Sequence, residues 1–357
     1  MSETLLINKI FNISAERKAT DIHLIVGSHP VIRTGGRLMT LNEEKVLTPT
    51  DLNNIVESFL NKEYLAELTR EREIISIYTW ANRLRFRVRV FYQKGYLATS
   101  FRLIPSVIKS PKELGLPTVI TQLLNKSKGL IILTGPYGSG RTTTAISLLE
   151  TLNRNKGVHI QTLEQPIEYL LVNNQSIIEQ RQISRDTLSF MKGLEDIEGE
   201  DIDVIFVSSL SERGEEEKIL ELAESGRLII LIMAADSVVS ALERFVSNVD
   251  KDRRDWGRDQ LADVLLGVLS QRILPRIGGG TTLAYEVLTS TAAVKSTIKE
   301  NRLYQLNSIM QTSKDEGMIN LDSSLLELVR ISEVTKEDAS QNAHNPQVFK
   351  KGFSRYK

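Results

Sequence analysis

The sequence predicts an α/β protein: a mixed α+β region over residues 1–104, a sheet of parallel strands covered by helices over 118–290, and a helical extension after it. Three observations carry this. Near-continuous apolar runs at 130–133, 158–163, 204–207, 228–233 and 283–288 alternate with helix-period segments at 142–152, 185–197, 215–224 and 238–246. Strands buried on both faces and joined by helical crossovers have that pattern. The stretch 129–144, GLIILTGPYGSGRTTT, sets a glycine-rich loop between one such strand and one such helix. Upstream, RFRVRVF at 85–91 alternates apolar and arginine side chains with period two, which is a strand with one buried face.

In chain order, Leu5, Ile7, Ile10 and Phe11 predict a first amphipathic helix, a strand follows at 21–26, and Gly35-Gly36 marks a turn. The alternating strand puts Leu84, Phe86, Val88 and Val90 on one face and Arg83, Arg85, Arg87 and Arg89 on the other. Such a row is either a solvated sheet face or, because like charges repel, a seat for phosphate or an acidic neighbouring subunit. Residues 104–117, IPSVIKSPKELGLP, carry three prolines and a glycine, and the domain linker is placed at 105–117. After Gly278-Gly279-Gly280 and the last strand, helical patterns run through 291–340. The end, 341–357, is basic and without periodicity, so it is expected to be a mobile tail.

The glycine loop follows G-x-x-x-x-G-K-[ST] from Gly135 to Thr142, with Arg141 where lysine belongs. Gly135, Gly138 and Gly140 let backbone N–H groups around Ser139 turn inward on phosphate oxygens, and the helix N-terminus that follows adds positive potential. Thr142 offers a hydroxyl for Mg²⁺, with Thr143 and Thr144 beside it. A tight strand-to-helix connection also uses glycines; the flanking strand, the helix and the hydroxyl run favour nucleotide binding. Arg141 keeps the charge of lysine but not its shape, because guanidinium is a wide planar fork.

Hydrolysis at such a loop needs an acid at a neighbouring strand end and a group that orients water. The strand 203–207, DVIFV, runs instead into Ser208-Ser209-Leu210-Ser211, and the first acid beyond it is Glu212. The strand 158–163 does end in acid, at Glu164 and then Glu168, so Glu164 is the candidate residual general base. His23, His29, His159 and His344 show no metal-binding spacing, and Trp80 and Trp256 read as packing or interface residues.

Composition narrows the classes further. Lys plus Arg and Asp plus Glu number 45 each, so net charge selects neither nucleic acid nor membrane. The chain has no cysteine, which removes disulfides, thiolate zinc sites and cysteine nucleophiles. The first residues, MSETLLINKIFNIS, have no long apolar core, and no apolar run approaches the roughly 20 residues of a membrane span. A soluble cytoplasmic protein of about two to three domains is expected.

Collinear segments resemble the PilT-type retraction ATPases of bacterial type IV pili, within the secretion-ATPase superfamily. They are ATDIHLIVGSHPVIRTGGRL at 19–38, RFRVRVF at 85–91, FRLIP at 101–105, the glycine loop, TLEQPIEY at 162–169, RDTLSF at 185–190 and a stretch at 292–331. The resemblance implies a PAS-like N-terminal domain, a RecA-like P-loop domain, ATP or ADP with Mg²⁺ at subunit boundaries of a ring hexamer, and coupling to pilus withdrawal. It also implies a homo- or hetero-hexamer with PilT-like subunits, docked on the platform protein of the inner membrane, peripheral to the membrane and on its cytoplasmic side. No nucleic acid is expected.

The family's IEDPIE box reads Leu163-Glu164-Gln165-Pro166-Ile167-Glu168 here. Its GEMRD segment falls on Ser208 to Glu212, with Ser209 at the catalytic glutamate, and its TLHT box on Ile232-Met233-Ala234-Ala235, without histidine. Arginines that reach toward nucleotide from the N-terminal domain correspond to Arg85, Arg87 and Arg102. The retraction motif AIRNLIRE resembles Ala293 to Glu300, with its arginines lost or softened to lysine. Scaffold matches persist where the chemistry departs, so a degenerate or weak ATPase with a structural or regulatory role is expected. The alternatives are a working motor that uses Glu164 and Glu212 as substitutes and, from a different class, a nucleic-acid module built on Arg83 to Arg89, which zero net charge disfavours. Pilus-extension relatives usually carry a tetracysteine zinc site, which a chain without cysteine lacks.

Overall fold

A computed structural model describes residues 3–81, 84–344, 346 and 349. The chain divides into two compact units, one of residues 1–107 with 166–170, the other of 108–165 with 171–357.

The first unit contains α1 (Glu3–Glu16), β1 (Asp21–Ile25), β2 (Val31–Thr34), β3 (Arg37–Thr40), α2 (Pro49–Phe59), α3 (Lys62–Glu71), β4 (Glu73–Trp80), β5 (Leu84–Gln93) and β6 (Tyr96–Ile104). Its six strands form one antiparallel sheet in the order β3-β2-β1-β6-β5-β4. The period-two alternation of β5 holds: Phe86, Val88 and Val90 are buried, in one core with Leu6, Ile10 and Phe11 of α1. Phe11 stacks on Phe86 at 4.9 Å and meets Phe101 edge-on at 5.1 Å. Trp80 packs in the same cluster and donates to Asn8 Oδ1, as its expected packing role requires. Arg83 and the side chain of Leu5 lie outside the described residues.

The second unit adds α4 (Thr118–Leu123), β7 (Gly129–Thr134), α5 (Arg141–Asn155), β8 (His159–Glu164), β9 (Ile177–Gln182), α6 (Phe190–Ile197), β10 (Val204–Val207), α7 (Glu215–Glu224), β11 (Leu228–Ile232), α8 (Val238–Asn248), α9 (Arg254–Val264), β12 (Leu265–Pro275), β13 (Thr281–Thr289), α10 (Ala292–Lys299), α11 (Leu306–Thr312), α12 (Leu321–Arg330) and α13 (Lys336–Asn342). Its seven-stranded sheet has the order β13-β12-β7-β11-β10-β8-β9. Strands β7, β10 and β11 are buried at every position, which is why their sequences read as unbroken apolar runs.

The sheet is mixed rather than purely parallel: β12 runs parallel to β7, and the β12–β13 hairpin turns at Gly278 to Gly280, which leaves β13 antiparallel at the edge. Strand β12 escapes the sequence reading because α9 ends at Val264 and the strand begins at Leu265 with no turn residue between. Strand β9, IIEQRQ, has too few apolar residues to signal itself and lies at the other edge. Helix α6 starts at Phe190 and not at 185, because the amides of Arg185 and Asp186 fold back on Gln182 O and Ser189 then caps the helix. In the tail, Phe349 is buried with Leu274, Leu321 and Leu325, contrary to a free tail at that residue; 345, 347–348 and 350–357 lie outside the described residues.

Candidate functional site

The glycine loop joins β7 to α5 at the carboxyl ends of the parallel strands, where open α/β sheets bind ligands. Its glycines are required by the backbone. Gly135 has φ of 142°, and a Cβ there would lie 2.3 Å from the main-chain oxygen of Gln271 and 2.6 Å from Ser139 Oγ. Gly140, at φ 87°, is the left-handed residue from which α5 starts, with Gln271 Nε2 and Ile273 packed where its Cβ would be. Gln271, buried on β12, donates to Ser139 O at 2.6 Å and so holds the loop from the neighbouring strand. The sequence reading missed this residue because it missed β12.

Anion-binding features are present in the cradle. Ser139 is buried, and its Oγ has no hydrogen-bond partner among the described residues. The first amides of α5 have no acceptor inside the helix and point toward the loop. A cleft of about 530 Å³ opens beside Gly140, Thr143 and Thr144, lined by Lys109, Lys112 and Arg276 and equally by Glu113, Glu327 and Glu333. The donors of the cradle therefore fit phosphate oxygens. For magnesium the candidate hydroxyl is that of Thr142, in the first turn of α5, and no group of three or more acids or histidines is placed to hold a metal among the described residues. The cation would be held mainly by phosphate oxygens.

Arg141 is tied to the strand next to the loop. Its Nη1 donates to Met233 O at 2.9 Å, at the end of β11, and burial lowers its pKa. This bond belongs to a series. Arg244 donates to Ala234 O at 2.8 Å, Thr134 Oγ1 to Ala235 O at 3.0 Å, and Arg272 to Asp236 O at 3.2 Å. Four successive carbonyls, three in the segment aligned with the histidine box and one just after it, are thus held by side chains from β7, α5, α8 and β12. A second, smaller pocket of about 170 Å³ lies here, lined by Arg141, Ser208, Ser209, Ala234, Arg244 and Glu216 among others.

The other acids stand elsewhere. Glu164 is buried at the end of β8, its Oε1 accepting from Thr162 Oγ1 at 2.7 Å and from Gln180 Nε2 at 3.0 Å, and it lines neither pocket. Glu212 is exposed, and its amide donates to Glu215. In the first unit, Arg85 donates to Ile167 O, Arg87 pairs with Glu168 at 2.9 Å, Arg89 with Glu73 at 2.6 Å and Arg102 with Asp21 at 2.8 Å. Within the row, Arg87 and Arg89 thus meet carboxylates of this chain, and Arg85 meets a main-chain carbonyl.

A largely parallel sheet with a glycine loop and helix at its carboxyl edge, preceded by a separate antiparallel unit, defines a RecA-like P-loop protein of the secretion-ATPase class. The family model for "Type II/IV secretion system protein" matches residues 110–351. The type IV pilus retraction ATPase PilT of Pseudomonas aeruginosa is 31% identical over 343 residues, covering 96% of this chain and 99% of that protein. A twitching motility protein of Neisseria gonorrhoeae is 31% identical, covering 88% of this chain and 84% of its own length. A crystal structure of the pilus retraction motor PilT with bound ADP superposes with a TM-score of 0.83 at 33% identity, covering 95% of this chain and 97% of that one. The chain belongs to the type II/IV secretion system protein family, among its PilT-type pilus retraction ATPases.

Proposed function

We propose that the chain is a PilT-like subunit of a type IV pilus motor that binds ATP or ADP at the Gly135–Thr142 loop and turns it over weakly, with a structural or regulatory role. It would assemble as a homo- or hetero-hexamer with PilT-like subunits, on the cytoplasmic side of the inner membrane against the platform protein. No described helix is long and apolar enough to cross a membrane. The bound ADP of the related PilT structure supports the nucleotide. Mg²⁺ would sit on Thr142, with Gly138, Ser139, Gly140 and Thr143 around the phosphates; when bound, it neutralises phosphate charge. Arg85, Arg87 and Arg102 are proposed to act toward nucleotide in the ring, as the family resemblance implies.

One observation carries the reading of weak turnover: Ser209 and Ala234 line the small pocket at the positions aligned with the family's acid and histidine, beside an Arg141 that donates to the Met233 carbonyl. Removing such a positioned group costs about 10² to 10⁴ in rate. The test is calorimetry with ATP and ADP alongside a turnover assay on the purified chain. Binding with slow turnover is expected. Turnover at ordinary motor rates that Glu164→Gln abolishes would overturn it. One observation favours the alternative of a working motor, namely that one acid, Glu216, does line the pocket.

A further inference from the structure

Three successive glutamates, Glu215, Glu216 and Glu217, open α7, and all three are buried. Their environments differ. Glu215 accepts from the amides of Ser211 and Glu212, at 2.6 and 3.1 Å, and so closes the turn that leads into the helix. Glu217 accepts from the amide of Asp250 at 2.8 Å on Oε1, and its Oε2 also has no partner among the described residues, but it lies outside both pockets. Glu216, 1% exposed, accepts from Asn248 Nδ2 at 2.7 Å on Oε1, while its Oε2 has no hydrogen-bond partner among the described residues. Of the three, Glu216 is the one that lines the small pocket, together with Arg141, Arg244, Ser208 and Ser209.

A buried carboxylate oxygen without a donor is costly, and a group retained at that cost beside a phosphate loop is a candidate for chemistry. Burial, with the charges of Glu215 and Glu217 adding to it, raises the Glu216 pKa. That shift moves a carboxylic acid toward the range where a general base is most effective. The pocket sits at the ends of β10 and β11, beside the first residue of α5. It is therefore placed for the terminal phosphoryl group of a nucleotide whose inner phosphates occupy the glycine loop.

We infer that Glu216 takes the proton of the water that attacks the terminal phosphoryl group of a nucleoside triphosphate bound at the glycine loop, in place of the acid missing at Ser209. This rests on the nucleotide reading proposed above. The water oxygen bonds to the terminal phosphorus as the bond from that phosphorus to the bridging oxygen breaks. The electron pair stays on the bridging oxygen of the departing diphosphate, and the water's proton passes to Glu216 Oε2. Arg141 and Arg244 supply positive charge along the same pocket. Glu164, with Oε1 held by two neutral donors and outside the pocket, is less well placed.

Glu216→Gln removes the charge and keeps the shape and the bond to Asn248. Its Mg-ATP turnover is expected to fall about 10²-fold or more. The parent chain's rate is expected to rise with pH through an ionisation above the ordinary carboxylate range, and that rise is expected to vanish in the variant. A second readout does not depend on turnover. With one negative charge fewer facing the terminal phosphate, the variant is expected to bind a hydrolysis-resistant imido analogue of ATP about tenfold more tightly by calorimetry, with ADP affinity unchanged. Glu217→Gln, outside the pocket, is expected to leave the nucleotide preference as it was and to move the rise of rate to lower pH, because it removes one of the charges that raise the Glu216 pKa. If Glu216→Gln melts as an unfolded chain, Glu216→Asp is expected to keep ADP affinity and lose turnover about tenfold or more, because its carboxylate is drawn back by one methylene.

Parent-like turnover in a folded Glu216→Gln chain, an unchanged preference between the two nucleotides, or a parent chain that binds ADP but shows no turnover each overturns the inference while leaving the nucleotide reading intact. Failure of the parent chain to bind either nucleotide overturns both.

Discussion

The glycine loop and the strand ends that face it have diverged to different degrees. The loop keeps what is dictated by the backbone: two left-handed glycines and one at φ 142°, a buried serine, and a helix that starts at once. The ends of β10 and β11 have kept their position in the sheet and exchanged their side-chain chemistry. Where a hydrolase needs an acid and a histidine, this chain has hydroxyls, a methyl group and a run of carbonyls fastened by Arg141, Arg244, Arg272 and Thr134. Steric requirements of a phosphate cradle are separable from the requirements of bond breaking, and variants of the loop and of the strand ends test the two apart.

The largest effect that tests this separation is expected at Gly135. A Cβ at 2.3 Å from the Gln271 oxygen meets main chain that cannot rotate away, and the backbone conformation is itself unfavourable for an L-residue. Gly135→Ala is expected to cost about 3 kcal/mol or more in urea unfolding and to abolish ADP binding in calorimetry. Gly138→Ala is the contrast, because at φ 79° its Cβ would meet nothing within 4 Å. It is expected to cost about 1 to 2 kcal/mol from conformation alone. Equal losses at the two positions would break the claim that close approach to β12 fixes the loop.

Much of this arrangement is legible in the sequence. The loop, its strand and its helix follow from spacing, as do β10, α7 and the buried face of β5, because burial on both faces or on one leaves a clear period. What escaped depends on contacts between distant residues. No local pattern connects Arg141 with Met233, 92 positions later, or tells that Gln271 holds Ser139. The segment 215–224 reads as a helix, but nothing local tells that Glu216 is buried or that Asn248, 32 positions later, bonds it. Strand β12 was hidden by a helix that runs into it without a turn, and the pocket-facing residues on and beside that strand were hidden with it.

Arg141→Ala is expected to come next in size. It leaves the buried Met233 without its guanidinium donor, a loss of about 1 to 3 kcal/mol for an unsatisfied carbonyl, measured by urea unfolding. Nucleotide affinity decides what else the residue does. A clamp alone predicts ADP binding within about threefold of the parent, whereas a phosphate ligand predicts a loss of about tenfold or more, since hydrogen bonds to charged groups contribute about 1.5 to 3 kcal/mol. Arg141→Lys separates the cases again: lysine restores a point charge near the phosphates but not the planar fork that the clamp uses.

The smallest expected effect is at Arg244, and it bears most directly on the strand-end segment. This side chain is exposed and donates to Ala234 O, itself on an exposed residue, so water can replace the bond. Arg244→Ala is therefore expected to lower stability by no more than about 0.5 to 1 kcal/mol. Its pocket role is distinct from that contribution. If Arg244 also opposes charge developing on a terminal phosphate, the variant loses Mg-ATP turnover while its ADP affinity and its unfolding midpoint stay close to the parent's. If turnover and stability instead move together and by little, the segment 233–236 is held by redundant clamps, and the pocket's positive charge rests on Arg141.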